Sequence, residues 1–155
     1  MCESVRGNST RKIFDMYLSR PAEYALRAMT YLARQDPDKR ILTRDLAEAI
    51  NVPAPFLSKI MRLLTADGIL DAKKGHHGGF ILAKPPEKVR FIDILRAVDF
   101  EPVADHCLFG LGSCDSENPC PLHPEWSALK SQIEQWATKH NLGDSLKLRK
   151  YQEKN

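Results

Sequence analysis

The chain has 155 residues, 43% hydrophobic and 28% charged, the balance of a globular protein with one good core and an appendage. No run approaches the roughly 18 to 20 apolar residues of a membrane helix, and the N-terminus lacks the apolar core of a secretory signal; both are therefore excluded and a cytoplasmic location is expected. The net charge of +3 is unevenly spread: 17 of the 23 Lys and Arg and 12 of the 20 Asp and Glu fall in residues 1–100, leaving 6 and 8 in 101–155, so a polyanion would meet the first part.

Residues 1–15 are polar, lack periodicity and precede a second methionine, Met16, and read as a disordered tail or an upstream start. From Arg20 to Arg34 the residues Ala22, Ala25, Leu26, Met29, Leu32 and Ala33 recur at helical spacing. Pro37 ends that helix, because it disfavours helical geometry at Asp36 and has no N–H to donate. Thr43 is the expected N-cap of a short second helix through Ile50, with Leu46, Ala47 and Ile50 inward.

After a break at Asn51-Val52-Pro53, a third helix is predicted with Phe56, Leu57, Ile60, Met61, Leu63 and Leu64 as a wide apolar face. Ser58, Lys59, Arg62 and Thr65 are left to solvent. Helix, short turn, helix is an arrangement whose second member can lie in a DNA major groove. Past Asp67-Gly68 the period changes. Ile69–Lys73 and Phe80–Ala83 read as strands of a hairpin whose glycine-rich tip carries Lys73, Lys74, His76 and His77, a basic wing able to approach phosphates closely. Phe91–Val98 reads as a short helix with Ile94, Leu95 and Val98 inward. A last helix over 124–146 places Trp126, Leu129, Ile133 and Trp136 three, four and three residues apart, a seam that two copies could bury against each other, and 147–155 is expected as a flexible tail.

The expected architecture is mainly α with a small β-hairpin: a winged helix-turn-helix over 16–100, a cysteine-rich loop over 101–123 and a long C-terminal dimerisation helix. Cys2 sits alone in the tail. Cys107, Cys114 and Cys120 are separated by six and then five intervening residues, and two more residues separate Cys120 from His123. In a reducing compartment such a cluster is more often a metal or redox centre than a set of disulfides. Three thiolates from one loop can wrap one face of an iron–sulfur cluster and leave a position for another ligand. Tetrahedral zinc on the three cysteines and a histidine, and a metal-free thiol switch, are the alternatives; structural zinc usually draws on cysteine pairs with two residues between them, which this loop lacks. A small thiol oxidoreductase would need a two-residue cysteine pair at a helix start, also absent, so no enzyme is expected. A winged helix that binds protein rather than DNA is the remaining rival.

The segments MYLSRPAEYALRAMTYLA at 16–33, LAEAINVPAPFLSKIMRLLTADGIL at 46–70, KKGHHGGFILAKPPEKV at 73–89 and FIDILRAVD at 91–99 resemble, in order and spacing, the Rrf-two family of winged-helix transcription regulators. The likeness runs through the cysteine loop to about residue 146. It implies a homodimeric DNA-binding regulator, commonly a repressor, in which Pro55, Ser58, Lys59 and Arg62 face base edges and phosphates while Lys74 and His76 approach the minor groove. Ser58 stands where some relatives carry an acidic specificity residue, so the operator does not transfer. The resemblance also implies a two-iron or four-iron cluster on Cys107, Cys114 and Cys120 that senses iron, nitric oxide or redox state, although the first gap is one residue longer than in cluster-binding relatives. Two fourth ligands are implied: His123, or Glu23 lent by the partner subunit. A glutamate in the first turn of a helix is also favoured by the helix dipole without any metal. His106 beside Cys107 is a candidate outer hydrogen-bond donor.

Overall fold

A computed structural model describes residues 18–98 and 117–152, with side chains to residue 147. Around its first helix, α1 (Arg20–Ala33), the rest of the fold is assembled. Ser19 caps it in an extended conformation, its hydroxyl accepting from the Ala22 N–H at 3.3 Å, and Pro21 occupies the first turn, where no N–H is needed. Ala22, Ala25, Ala28, Met29 and Leu32 are buried. Three small residues on that face allow close approach by four other helices.

The second helix, α2 (Thr43–Ile50), begins one residue earlier than Thr43 as a cap would require: Leu42 is the N-cap and makes no side-chain capping bond. The cause is tertiary, because the preceding Ile41 is paired with Phe80 by reciprocal hydrogen bonds of 3.0 and 2.9 Å and sets where the extended chain ends. Asn51 ends α2 in the left-handed conformation, φ 52°, a role that asparagine tolerates better than most residues.

In α3 (Ala54–Ala66) the buried residues are Leu57, Ile60, Met61 and Leu64. Phe56 and Leu63, expected in the core, are 39% and 41% exposed. At about 100° per residue they lie roughly a quarter-turn from the middle of the buried stripe, on the flank of the helix. Thr65, expected in solvent, is half-buried and returns its hydroxyl to the Met61 carbonyl at 2.7 Å.

Strands β1 (Leu70–Lys73) and β2 (Gly79–Leu82) form an antiparallel hairpin with Leu70 opposite Leu82 and Lys73 opposite Gly79. A 3-10 turn at Pro86–Lys88 leads into α4 (Phe91–Ala97), which buries Ile92, Ile94, Leu95 and Ala97. The helix-turn-helix, the wing and a mostly helical body give the winged-helix architecture anticipated from the sequence.

The last helix is not continuous over 124–146. It is α5 (His123–Lys139), packed on α4, then a break at His140–Asn141, then α6 (Leu142–Gln152), which returns onto α1 and the 3-10 turn. Local and tertiary bonds both drive the break. Asn141 and Asp144 cap each other reciprocally, at 3.2 Å from the Asp144 N–H to Asn141 Oδ1 and 3.3 Å from the Asn141 N–H to Asp144 Oδ2. The Phe91 N–H donates to the His140 carbonyl at 3.0 Å, and the Leu142 N–H to the Val89 carbonyl at 2.9 Å, which seats the buried Leu142. The helical backbone of α6 runs to Gln152, into the segment expected to be a tail. Among the described residues no helix is long and apolar enough to cross a membrane.

Candidate nucleic-acid interface and cysteine loop

Burial of Leu57, Ile60, Met61 and Leu64 turns the other side of α3 outward, and Pro55, Ser58, Lys59 and Arg62 are all exposed there. The Ser58 hydroxyl donates to the Ala54 carbonyl at 2.9 Å. Donation uses the O–H and leaves the oxygen able to accept. The hairpin carries Lys73, Lys74 and His76, also exposed.

The hairpin is fixed to the body rather than hanging free. Ile41 pairs with β2 on the edge opposite β1, making β2 the middle of a short three-stranded arrangement. Arg40 then buckles its base, with Nη2 at 2.5 Å from Asp71 Oδ2 and Nη1 at 3.3 Å from the carbonyls of both Asp71 and Gly79. Gly79, at φ 127°, lies where only glycine fits: an added Cβ would stand 2.6 Å from the Ile41 carbonyl oxygen.

At the tip, Gly75–Gly78 is a turn closed by the Gly78 N–H on the Gly75 carbonyl at 2.9 Å, with His77 in the left-handed conformation at φ 61°. Holding a side-chain-bearing residue there costs about 1–2 kcal/mol. The imidazoles of His76 and His77 are in contact, with centroids 4.5 Å apart.

Cys107 and Cys114 lie outside the described residues, as do Cys2 and His106. Cys120 is an exposed free thiol in the turn before α5, and the His123 N–H donates to its carbonyl at 3.0 Å. His123 is half-buried at the first position of α5. Trp126 follows it at i+3 on the same helix face. Its indole Nε1 is buried and has no hydrogen-bond partner among the described residues. Among those residues no three His, Cys, Asp or Glu side chains come together as a metal site.

Further along α5, Leu129 and Trp136 are 37% and 43% exposed, and Leu122, seven residues before Leu129, is 52% exposed. These three form an outward apolar row. Trp126 and Ile133 are half-buried, so the expected four-residue seam divides, half toward its own domain and half away. Trp136 also lies against Phe91, centroids 5.2 Å apart. Glu23, in the first turn of α1, is nearly half exposed and pairs with Arg27 at 3.5 Å; Arg27 also donates to the Ile50 carbonyl.

The family model of an iron-dependent transcriptional regulator, Rrf2, matches residues 18–147. The chain belongs to the Rrf2 family. Members of this family are DNA-binding transcription regulators rather than enzymes.

This Rrf2 regulator is 36% identical over 121 residues to a protein of Aquifex aeolicus named as an HTH-type transcriptional regulator, covering 77% of this chain and 83% of the other. It is 24% identical over 129 residues to the HTH-type regulator IscR of Escherichia coli, covering 83% and 79%. Its fold matches the solved structures of IscR from T. potens, TM-score 0.66 at 24% identity over 84% and 85% of the two chains, and of CymR, the global cysteine regulator of B. subtilis, TM-score 0.69 at 18% identity over 82% and 93%.

Two features of this Rrf2 surface are not legible in the sequence. His77 belongs to the basic tip on sequence grounds, but its left-handed conformation has no local signal, because turn signals are carried by glycines. The row Leu122–Leu129–Trp136 was hidden because Leu122 precedes the helix; a strict seven-residue spacing was the signal that would have found it.

Proposed function

We propose that this protein is a homodimeric DNA-binding regulator that senses iron, nitric oxide or redox state through an iron–sulfur cluster. Cys107, Cys114 and Cys120 would hold the cluster, with His123 or Glu23 of the partner subunit as fourth ligand. The observation that carries the reading is on α5. An exposed thiol lies three residues before α5, and a half-buried imidazole and a buried indole N–H with no partner among the described residues occupy the start of that helix, which bears the outward apolar row. A buried donor of this kind favours an anionic acceptor nearby, and thiolate-bound clusters present one. The iron-dependent description of the family supports the same choice.

The DNA-binding work falls to Lys59, Arg62, Lys73 and Lys74 against phosphates, and to Pro55, Ser58 and His76 against groove edges. Pairing falls to Trp126, Leu129, Ile133 and Trp136, of which Leu129 and Trp136 offer the most surface to a second copy. When bound, the cluster supplies a change of charge and ligation on oxidation, nitrosylation or loss. The residues of α5 connect that site to the pairing surface, so the spacing of two recognition helices is the quantity altered.

A zinc-stabilised or thiol-switched regulator is the second reading, favoured by the exposure of the free Cys120 thiol and by the fold shared with a cysteine regulator. Anaerobic purification separates the two. A brown protein containing iron and sulfide is expected, and a colourless protein containing zinc alone, or no metal, would overturn the cluster. Cys114→Ser is expected to abolish the visible absorption and leave a folded protein, because the described core contains no cysteine.

A further inference from the structure

We propose that His76 and His77 act together as a protonatable contact to DNA phosphates at the wing tip, so that operator affinity depends on pH independently of the sensor. The inference rests on the reading of the hairpin as a DNA wing and adds His77 and its chemistry to it. Three observations meet at the tip. His77 occupies the left-handed corner of the Gly75–Gly78 turn, a conformation that glycine or asparagine would adopt more readily. Residues held in this region cluster at functional sites. Both imidazoles are exposed, and their ring centroids lie 4.5 Å apart. The backbone is drawn in tightly below the rings, since a Cβ on Gly78 would stand 2.5 Å from the Lys73 carbonyl oxygen.

The surrounding charge suits phosphate. Lys73 and Lys74 immediately precede the tip, and in the hairpin Arg40 engages Asp71, the carboxylate carried by the described strands. Imidazole is the side chain that changes charge between about pH 5 and 8, and each proton gained turns an acceptor nitrogen into a second N–H donor. Two adjacent positive rings repel one another and are both attracted by phosphate. Proton uptake and DNA binding are therefore linked: contacts that favour the protonated ring in the complex tighten binding as the pH falls, and the gain is lost as it rises.

The test uses the full-length, anaerobically prepared protein and duplex DNA from upstream of its own gene. Affinity is measured at about pH 6 and pH 8, each over a range of salt. The variants are His77→Asn, which keeps the left-handed corner, and His76→Asn with His77→Asn. Equal visible absorption at the two pH values fixes the metal state. Wild type is expected to bind several-fold tighter at the lower pH. Its log–log salt slope should steepen by about 0.9 for each phosphate engaged. The double variant should lose both effects and match wild type at the higher pH. A wild-type affinity indifferent to pH, or a pH dependence that survives in the double variant, overturns the histidine contact. Failure of every protein to bind at any pH and salt instead overturns the wing as a DNA-binding element.

Discussion

Replacing Gly79 by alanine tests how the wing is held. The new Cβ would meet the Ile41 carbonyl oxygen at 2.6 Å and its carbon at 2.8 Å, both rigid backbone atoms that cannot turn aside. Relief requires β2 to move off Ile41, which opens the reciprocal Ile41–Phe80 hydrogen bonds of 3.0 and 2.9 Å. Two such bonds contribute about 0.5–1.5 kcal/mol each. Forcing alanine to φ 127° adds about 1–3 kcal/mol. The loss is thus about 2–6 kcal/mol, and for a chain of this size each kcal/mol lowers Tm by roughly 2–4 °C. Gly68→Ala is the internal control, because φ is 68° there but nothing lies within 4 Å of the added Cβ. It should cost only the conformational penalty, about 1–2 kcal/mol. Thermal unfolding followed by circular dichroism compares the two. DNA affinity should fall further in Gly79→Ala, since the displaced hairpin carries Lys73, Lys74 and His76. A Tm loss in Gly79→Ala no larger than that in Gly68→Ala would refute the idea that Ile41 is the anchor of the wing.

Lys59→Ala with Arg62→Ala should weaken DNA binding and lower the log–log salt slope by about 0.9 for each phosphate contact removed, leaving iron content unchanged; iron loss would mean that α3 is not the DNA-facing helix. Leu129→Glu puts a charge in the outward apolar row, and sedimentation should show it converting a dimer to a monomer; an unaltered dimer would move the interface elsewhere. The Asp144 carboxyl is held down to about 2, first by its bond to Lys147 and then by those from His140 and the Asn141 N–H. A depressed folded-state value means that its contribution is full above the ordinary value near 3.8 and is lost as pH falls toward 2. Amide exchange in α6 should therefore accelerate in wild type over that acid range, and in Asp144→Asn the helix should be looser at neutral pH with little further acid dependence.

Much of the winged domain was legible in the sequence, because its elements announce themselves over short spans. The apolar period of 3.6 in 20–34 and 57–64, the glycines of the wing and the proline at the start of α3 each act within a few residues. The exposure of Pro55, Ser58, Lys59 and Arg62 follows from the same helical period, and that of Lys73, Lys74 and His76 from their place at the glycine-rich hairpin tip. The three closely spaced cysteines pointed to metal chemistry through donor type alone.

What local pattern could not convey is decided by contacts between distant segments. Phe56 and Leu63 are as apolar as their buried neighbours, and only the direction from which α1 and α2 approach leaves them on the flank. The start of α2 is set by the pairing of Ile41 with Phe80, nearly forty residues on. The end of α5 has a local cause in the Asn141–Asp144 cap, but capping residues also occur inside helices, and it is the bonds from His140 and Leu142 to Phe91 and Val89 that make the chain turn back. Side-chain type and spacing determine which faces are apolar and which residues can bind charge or metal. Which of those faces is covered depends on backbone pairings between remote segments, whose hydrogen bonds exist only once the fold has brought them together.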